Sequence, residues 1–216
     1  MREYFSGGIT MTVTDGCFRL STDSMVLADF CRLPRGAAVC DLGSGCGALG
    51  LLLLRDHPDM RVTGLEILPD AAAQARKNID ANHLSEHFSV ITGDLRGHRT
   101  LLPANAFDAV VSNPPYFVPG RGAAGGPART EGACGLEDWC AAAGRLVKNG
   151  GRFALVHRPE RLADLFAALR GAGLEPKRLQ LVQHGPDKPP SAALVEAVRQ
   201  GRPGLAVLPA LLLAER

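Results

Sequence analysis

Long apolar runs are missing from this sequence. The two most apolar stretches, Leu49 to Leu54 and Leu205 to Ala214, are short or interrupted, and neither approaches the ~20 residues of a membrane-spanning helix. Met1-Arg2-Glu3-Tyr4 carries no apolar stretch of signal-peptide type, so a cytoplasmic protein with no membrane partner is expected. The six cysteines (Cys17, Cys31, Cys40, Cys46, Cys134 and Cys140) make no Cys-x-x-Cys pair and no ligand spacing with histidine. That pattern points to reduced thiols, with no metal and no disulfide framework. Charge of one sign is also lacking: the formal net charge is only +2, which neither demands nor excludes nucleic acid, because a local basic face can sit on a balanced protein. Aromatics are scarce, with one Trp and two Tyr in the chain, so a tyrosine inside a suggestive motif carries weight.

What is present is a chain of 216 residues, 46% hydrophobic and 21% charged, enough for one domain with a sizeable core. Apolar β-rich runs alternate with helical patterns, which predicts an α/β fold with a mostly parallel seven-stranded sheet and helices on both faces. The strands are read at 38–42, 61–67, 88–92, 107–112, 152–157, 179–183 and 192–198. The helices are read at 48–56, 69–82, 136–147 and from Pro159, the last with Gly171 as its stop. Asn149-Gly150-Gly151 reads as a turn, Gly201-Arg202-Pro203-Gly204 as a break before an apolar tail, and residues 1–20 as a hairpin or arm followed by a helix from about Thr22 to Cys31. Residues 119–132 hold five glycines and two prolines, the composition of a lid, a substrate clamp or a plain surface loop.

The first strand runs into Asp41-Leu42-Gly43-Ser44-Gly45-Cys46-Gly47. Glycines there let the backbone turn sharply and approach a ligand without a Cβ in the way. Gly45-Cys46-Gly47-Ala48-Leu49-Gly50 also fits the dinucleotide pattern, a weak signal when alone. Three features favour S-adenosylmethionine. Asp41 stands beside the loop, where a ligand ammonium can sit. Asp94 follows the third strand, within reach of an adenine amino group. Asn113-Pro114-Pro115-Tyr116-Phe117 closes the fourth strand. Glu66, ending the second strand, suits ribose hydroxyls with either cofactor. The plainer readings are that Asp94 caps a helix and that Asp41 is a turn residue.

The Asn-Pro-Pro-Tyr turn is rigid and lies beyond the carboxyl ends of the strands, where open parallel sheets bind ligands. A planar amino nitrogen is a poor nucleophile because its lone pair is delocalised. If the Asn113 side-chain oxygen and the Pro114 carbonyl accept its hydrogens, the lone pair turns toward the methyl donor, and in-line orientation supplies much of the rate. Tyr116 would stack on the planar substrate.

On these residues the chain resembles class I methyltransferases of the small-domain type, with a Rossmann-like fold, and within them the bacterial tRNA-valine adenine-N6 methyltransferases. Gly16-Cys17-Phe18-Arg19-Leu20-Ser21-Thr22-Asp23 is similar to that family's N-terminal cofactor-lid motif. Ala75-Arg76-Lys77-Asn78 with Asn82-His83-Leu84, His157-Arg158-Pro159-Glu160-Arg161-Leu162, Glu175-Pro176-Lys177-Arg178 and Val195-Glu196 are similar to the subfamily. The family carries Arg-His-Glu after the mobile loop, where this chain has Arg129-Thr130-Glu131.

The resemblance implies an arm and cofactor-lid helix over residues 1–33 and a methyltransferase domain over 34–216. It implies methyl transfer to adenine N6 in RNA, tRNA near the anticodon above all. Asp23, Asp41, Gly43, Gly45, Gly47, Glu66, Asp94 and Asn113 would hold the cofactor, and Asn113, Pro114, Pro115 and Tyr116 would form the catalytic turn. Tyr116, Phe117, Arg121, Arg129, Arg158 and Arg161 would meet the RNA, with Lys177, Arg178 and Lys188 as further basic candidates. Trp139 reads as core, and His157 as a core or strand-end residue. The rival readings are a protein glutamine N5 methyltransferase, an rRNA or DNA adenine methyltransferase, a dinucleotide-dependent oxidoreductase and a non-catalytic cofactor-binding module.

Overall fold

The computed structural model describes residues 2–4, 8–13, 21–114 and 134–213. A short antiparallel hairpin, β1 (Arg2–Tyr4) and β2 (Thr10–Thr12), precedes helix α1 (Thr22–Phe30). Strands and helices then alternate through β3 (Ala38–Leu42), α2 (Ala48–Asp56), β4 (Arg61–Glu66), α3 (Pro69–Ala81), β5 (Phe88–Thr92), α4 (His98–Leu101) and β6 (Phe107–Ser112). After them come α5 (Leu136–Leu146), β7 (Val147–His157), α6 (Leu162–Gly171), β8 (Leu174–Gln183) and β9 (Ala192–Arg199). Two-residue strands β10 (Ala206–Val207) and β11 (Leu211–Leu212) close the chain.

The main sheet runs in the order β10-β8-β9-β7-β6-β3-β4-β5, with β11 also on β8. The strands β3 to β7 are mutually parallel, and β9 is antiparallel to both β7 and β8. The seven expected strands are therefore β3 to β9, and the apolar tail adds two short parallel edge pieces.

Two hydrophobic clusters flank the sheet. One gathers Met11, Val26, Leu27, Phe30, Ala72, Ala75 and Ile79 with Val39, Val62 and Val111. The other gathers Trp139, Cys140, Leu146, Leu165 and Leu169 with Leu42, Val110, Phe153 and Leu155. Neighbouring strand residues such as Val110 and Val111 go to opposite clusters, as period-2 side-chain alternation requires. Helix α2 is apolar all round because α1 packs over it, and Leu51, Leu52, Leu53 and Leu54 are all buried; each contributes about 1.5–3 kcal/mol on burial.

Several boundaries differ from expectation. Asn149-Gly150-Gly151 does not break the chain but forms a bulge inside β7: the register with β6 jumps between the Phe107–Val147 and Ala109–Arg152 pairs, and Gly150 takes φ +75, open to glycine without strain. Pro159 opens a 3-10 turn to Arg161 before α6 begins. The left-handed residue after α6 is Gly173, with φ +73, and Gly171 stays helical. Strand β8 starts five residues earlier than read and passes through Pro176 at a bulge, a place where a strand tolerates proline. The expected strand 61–67 stops at Glu66, leaving Ile67 exposed. Among the described residues no helix is long and apolar enough to cross a membrane.

Candidate active site

The carboxyl ends of β3, β4, β5 and β6 lie side by side, and the glycine loop and the Asn-Pro turn both leave from that edge. After Leu42 the chain turns so tightly that the Gly43 and Ser44 amides both donate to the Leu65 carbonyl, at 2.8 and 3.2 Å. Gly43, Gly45 and Gly47 sit at φ +70, +56 and +89, the left-handed region that costs other L-residues about 1–2 kcal/mol each. A Cβ on Gly43 would stand 2.6 Å from the Trp139 ring, so Trp139 is both core, as read, and the floor under the loop.

Glu66 is buried, and its two oxygens accept the Gly45 and Leu68 amides, each at 2.8 Å. It thereby shapes the loop, and the remaining lone pairs stay open to a ligand hydroxyl. Asp41 is 1% exposed, and burial pushes its carboxyl up to about 7, with the Gly50 amide pulling the other way and Glu66 adding to the rise. Its Oδ2 and the Ser44 hydroxyl are buried with no hydrogen-bond partner. Orphaned polar atoms beside a glycine cradle fit a polar ligand carrying positive charge, because buried groups of this kind otherwise cost about 1–3 kcal/mol each.

Asp94 does cap a turn: its Oδ1 accepts the Arg96 amide at 2.8 Å, and the Arg96 guanidinium grips both carboxylate oxygens, which holds the carboxyl below the usual range. The capping reading is thus established for Asp94, and its side chain lies at the β5 end of the site.

The Asn-Pro turn is tied to the loop and to α1. The Ser112 hydroxyl, fully buried, donates to the Leu42 carbonyl at 2.8 Å. Asn113 is half-buried and Pro114 buried. The Asn113 Nδ2 donates to Ser24 Oγ at 3.1 Å and Ser21 Oγ at 3.3 Å, and the two hydroxyls lie 3.2 Å apart. Ser21 is also the N-cap of α1, accepting the Ser24 amide. With its NH2 occupied, Asn113 presents Oδ1, which accepts nothing from the described residues, so the amide is oriented as a hydrogen-bond acceptor. Sequence reasoning passed over Ser24 and Ser112; the only signal was a small hydroxyl residue next to each motif.

Asp23 lies on α1 next to Ser24. Arg158 and Arg161 stand at the end of β7, beside β6, where Arg161 pairs with Asp164 at 2.6 Å. Pro115, Tyr116, Phe117, Arg121 and Arg129 lie outside the described residues, as does the glycine-rich segment around them. Arg178 does not belong with an RNA surface: its side chain is 12% exposed, paired with the buried Glu196 at 3.1 Å, and its guanidinium sits 4.3 Å over the Phe30 ring. Lys177 is turned to the Arg202 carbonyl. The five described cysteines are free, and burial pushes the Cys31, Cys134 and Cys140 thiols up to about 12, which disfavours the reactive thiolate at those three.

The family model of the methyltransferase small domain matches residues 18–164. The chain belongs to the small-domain methyltransferase family. The fold agrees: a predicted O-methyltransferase from Agrobacterium tumefaciens superposes with a TM-score of 0.75 at 26% identity, covering 88% of this chain and 87% of that one. Among curated relatives, a tRNA1(Val) (adenine(37)-N6)-methyltransferase from Porphyromonas gingivalis is 32% identical over 84% of this chain and 75% of its own length. One of the same name from Aeromonas hydrophila is 36% identical over 69% of this chain, which spans 64% of that relative.

As a small-domain methyltransferase the protein uses S-adenosylmethionine, and the cradle described above fits it. Gly43, Gly45 and Gly47 leave room for close approach, Asp41 offers a carboxylate to a cation, and Glu66 offers lone pairs to hydroxyls. That cofactor supplies an electrophilic methyl group.

Proposed function

We propose that this small-domain methyltransferase methylates the N6 amino group of adenine in RNA, with tRNA near the anticodon as substrate. The observation that carries the reading is the Asn113 amide, whose NH2 is held by two serine hydroxyls so that its oxygen is left as the acceptor. The names of the Porphyromonas and Aeromonas relatives support adenine N6 and tRNA.

In this reading Asn113 Oδ1 and the Pro114 carbonyl accept the two amino hydrogens of the adenine. Holding both hydrogens draws the nitrogen lone pair out of conjugation and aims it in line, so no strong base is needed and the proton leaves after the methyl arrives. Tyr116 stacks on the extruded base, and Pro115 keeps the turn stiff. Asp23, Asp41, Glu66 and Asp94 hold the cofactor, while Phe117, Arg121, Arg129, Arg158 and Arg161 contact base and phosphates. A tRNA substrate supports a cytoplasmic location for this chemistry.

The test is transfer of labelled methyl from S-adenosylmethionine to unmodified total tRNA, with digested nucleosides read by mass spectrometry. Labelled N6-methyladenosine is the expected product. Label appearing only in protein, ribosomal RNA or DNA, in parallel incubations, would overturn the substrate, and full activity in Asn113→Ala would overturn the mechanism.

A further inference from the structure

Asn78 on α3 and Asn82, the residue that caps its C-terminus, lie one helical turn apart and act together as a substitute β-strand. Asn78 Oδ1 accepts the Thr12 amide at 2.9 Å, and its Nδ2 donates to the Thr12 carbonyl at 3.0 Å. Asn82 repeats the pattern on Thr10, at 2.9 and 2.7 Å. The match is geometric: four residues of helix rise about 6 Å, and two residues of strand about 6.6 Å, so both side-chain amides meet alternate peptide groups of β2. Met11, between the two threonines, is fully buried in the α1–α2–α3 cluster.

Asn78 does one thing that Asn82 does not. Its Nδ2 also donates to the Cys46 carbonyl at 2.9 Å, between Gly45 and Gly47 of the cofactor loop. The side chain is 2% exposed, and with the Gln74 amide on Oδ1 at 3.1 Å it uses two donors and two acceptor sites, its whole capacity. One buried amide therefore joins α3, the glycine loop and the N-terminal arm.

We propose that Asn78 is a positioning residue for the cofactor, one that makes the shape of the glycine loop depend on the seating of the N-terminal arm. The proposal rests on the cofactor assignment above. Because the coupling is an equilibrium one, it runs both ways: a ligand in the loop tightens the arm, and a loosened arm weakens the ligand.

The experiment measures S-adenosylhomocysteine affinity by calorimetry and amide exchange over residues 8–13 by mass spectrometry, in wild type, Asn78→Asp and Asn82→Ala. Aspartate keeps the shape and the acceptors of Asn78 but removes both donors. Saturating S-adenosylhomocysteine should slow exchange over residues 8–13 in wild type. Asn78→Asp should weaken that ligand by a factor within the usual coupling range of about 5 to 150, and should raise the KM for S-adenosylmethionine with little change in kcat. Asn82→Ala removes the Thr10 contacts and one bond to the Asn78 carbonyl but spares the Asn78–Cys46 link, so it should speed exchange over residues 8–13 and weaken the ligand less.

A purely structural Asn78 would lower the melting temperature and leave affinity unchanged well below it, which would overturn the proposal. So would wild-type exchange indifferent to ligand, a result that stands even if Asn78→Asp fails to fold. Wild-type protein that binds no S-adenosylhomocysteine would overturn the cofactor assignment itself.

Discussion

Ser24 offers the sharpest check on how the Asn113 amide is aimed for its proposed role. Its buried hydroxyl accepts from Asn113 Nδ2 at 3.1 Å; Ser24→Ala leaves only Ser21 Oγ, at 3.3 Å, which also receives the Ser24 amide. Loss of one hydrogen bond is worth about 0.5–1.5 kcal/mol. If that energy holds the oxygen in its productive direction, kcat falls by about 2- to 12-fold. Ser21→Ala/Ser24→Ala strips both acceptors from a half-buried NH2 group, a cost of about 1–3 kcal/mol and a fall in kcat of about 5- to 150-fold. The lost N-cap lowers stability by a further ~0.5–2 kcal/mol, so a melting curve must show the double variant folded at the assay temperature. The assay is methyl transfer to tRNA under saturating cofactor, with S-adenosylhomocysteine affinity measured in parallel and expected to hold. A folded double variant with wild-type kcat would refute the view that α1 orients Asn113.

Gly43→Ala and Gly45→Ala separate backbone strain from collision. Both add ~1–2 kcal/mol of left-handed strain, but only the first drives a Cβ into Trp139, so Gly43→Ala should melt lower and bind cofactor more weakly; equal melting temperatures would contradict this. Asp41 gives a pH signature. Its folded pKa of about 7 lies above the ~3.9 of an unfolded Asp, so its stabilising contribution is complete below about pH 4 and is lost as pH rises through 7. A cationic ligand favours the ionised form, so S-adenosylmethionine affinity should rise from pH 6 to 8 with proton release, and calorimetry showing a flat affinity there would exclude that contact. Arg178→Gln leaves the buried Glu196 with Arg152 alone. It should destabilise by up to about 3–5 kcal/mol and leave the salt dependence of tRNA binding unchanged, whereas a shallower salt slope would restore Arg178 to the RNA surface.

The cofactor half of the sheet was legible in the sequence because its signals are local. Strands β3, β5 and β6 are short apolar runs bounded by turn residues, and Pro69 and the glycine loop mark where α3 and α2 begin. Strand β8 was shortened because Glu175, Pro176, Lys177 and Arg178 look unlike a strand; a bulge accommodates the proline, and Glu196 on β9 neutralises the arginine. The bulge at Gly150 was read as a turn for the same reason, since glycine marks both. The contacts of Asn78, Asn82 and Ser24 were out of reach for another cause: their partners lie 66, 72 and 89 residues away, and no local pattern announces a contact made only by the finished fold. Asp94 caps the turn after β5, a role compatible with the cofactor contact proposed for it.

The placement of β9 bears on how the protein is made. This strand is the last long one to be synthesised, yet it lies inside the sheet between β7 and β8. A nascent chain that assembles β3 to β7 as a parallel unit, glycine loop included, still presents an open inner edge of unpaired peptide groups until residue 199 has left the ribosome. Such an edge invites pairing with other chains. Premature termination between the end of β7 and residue 199 would thus leave that edge open and favour aggregation over a shorter folded domain.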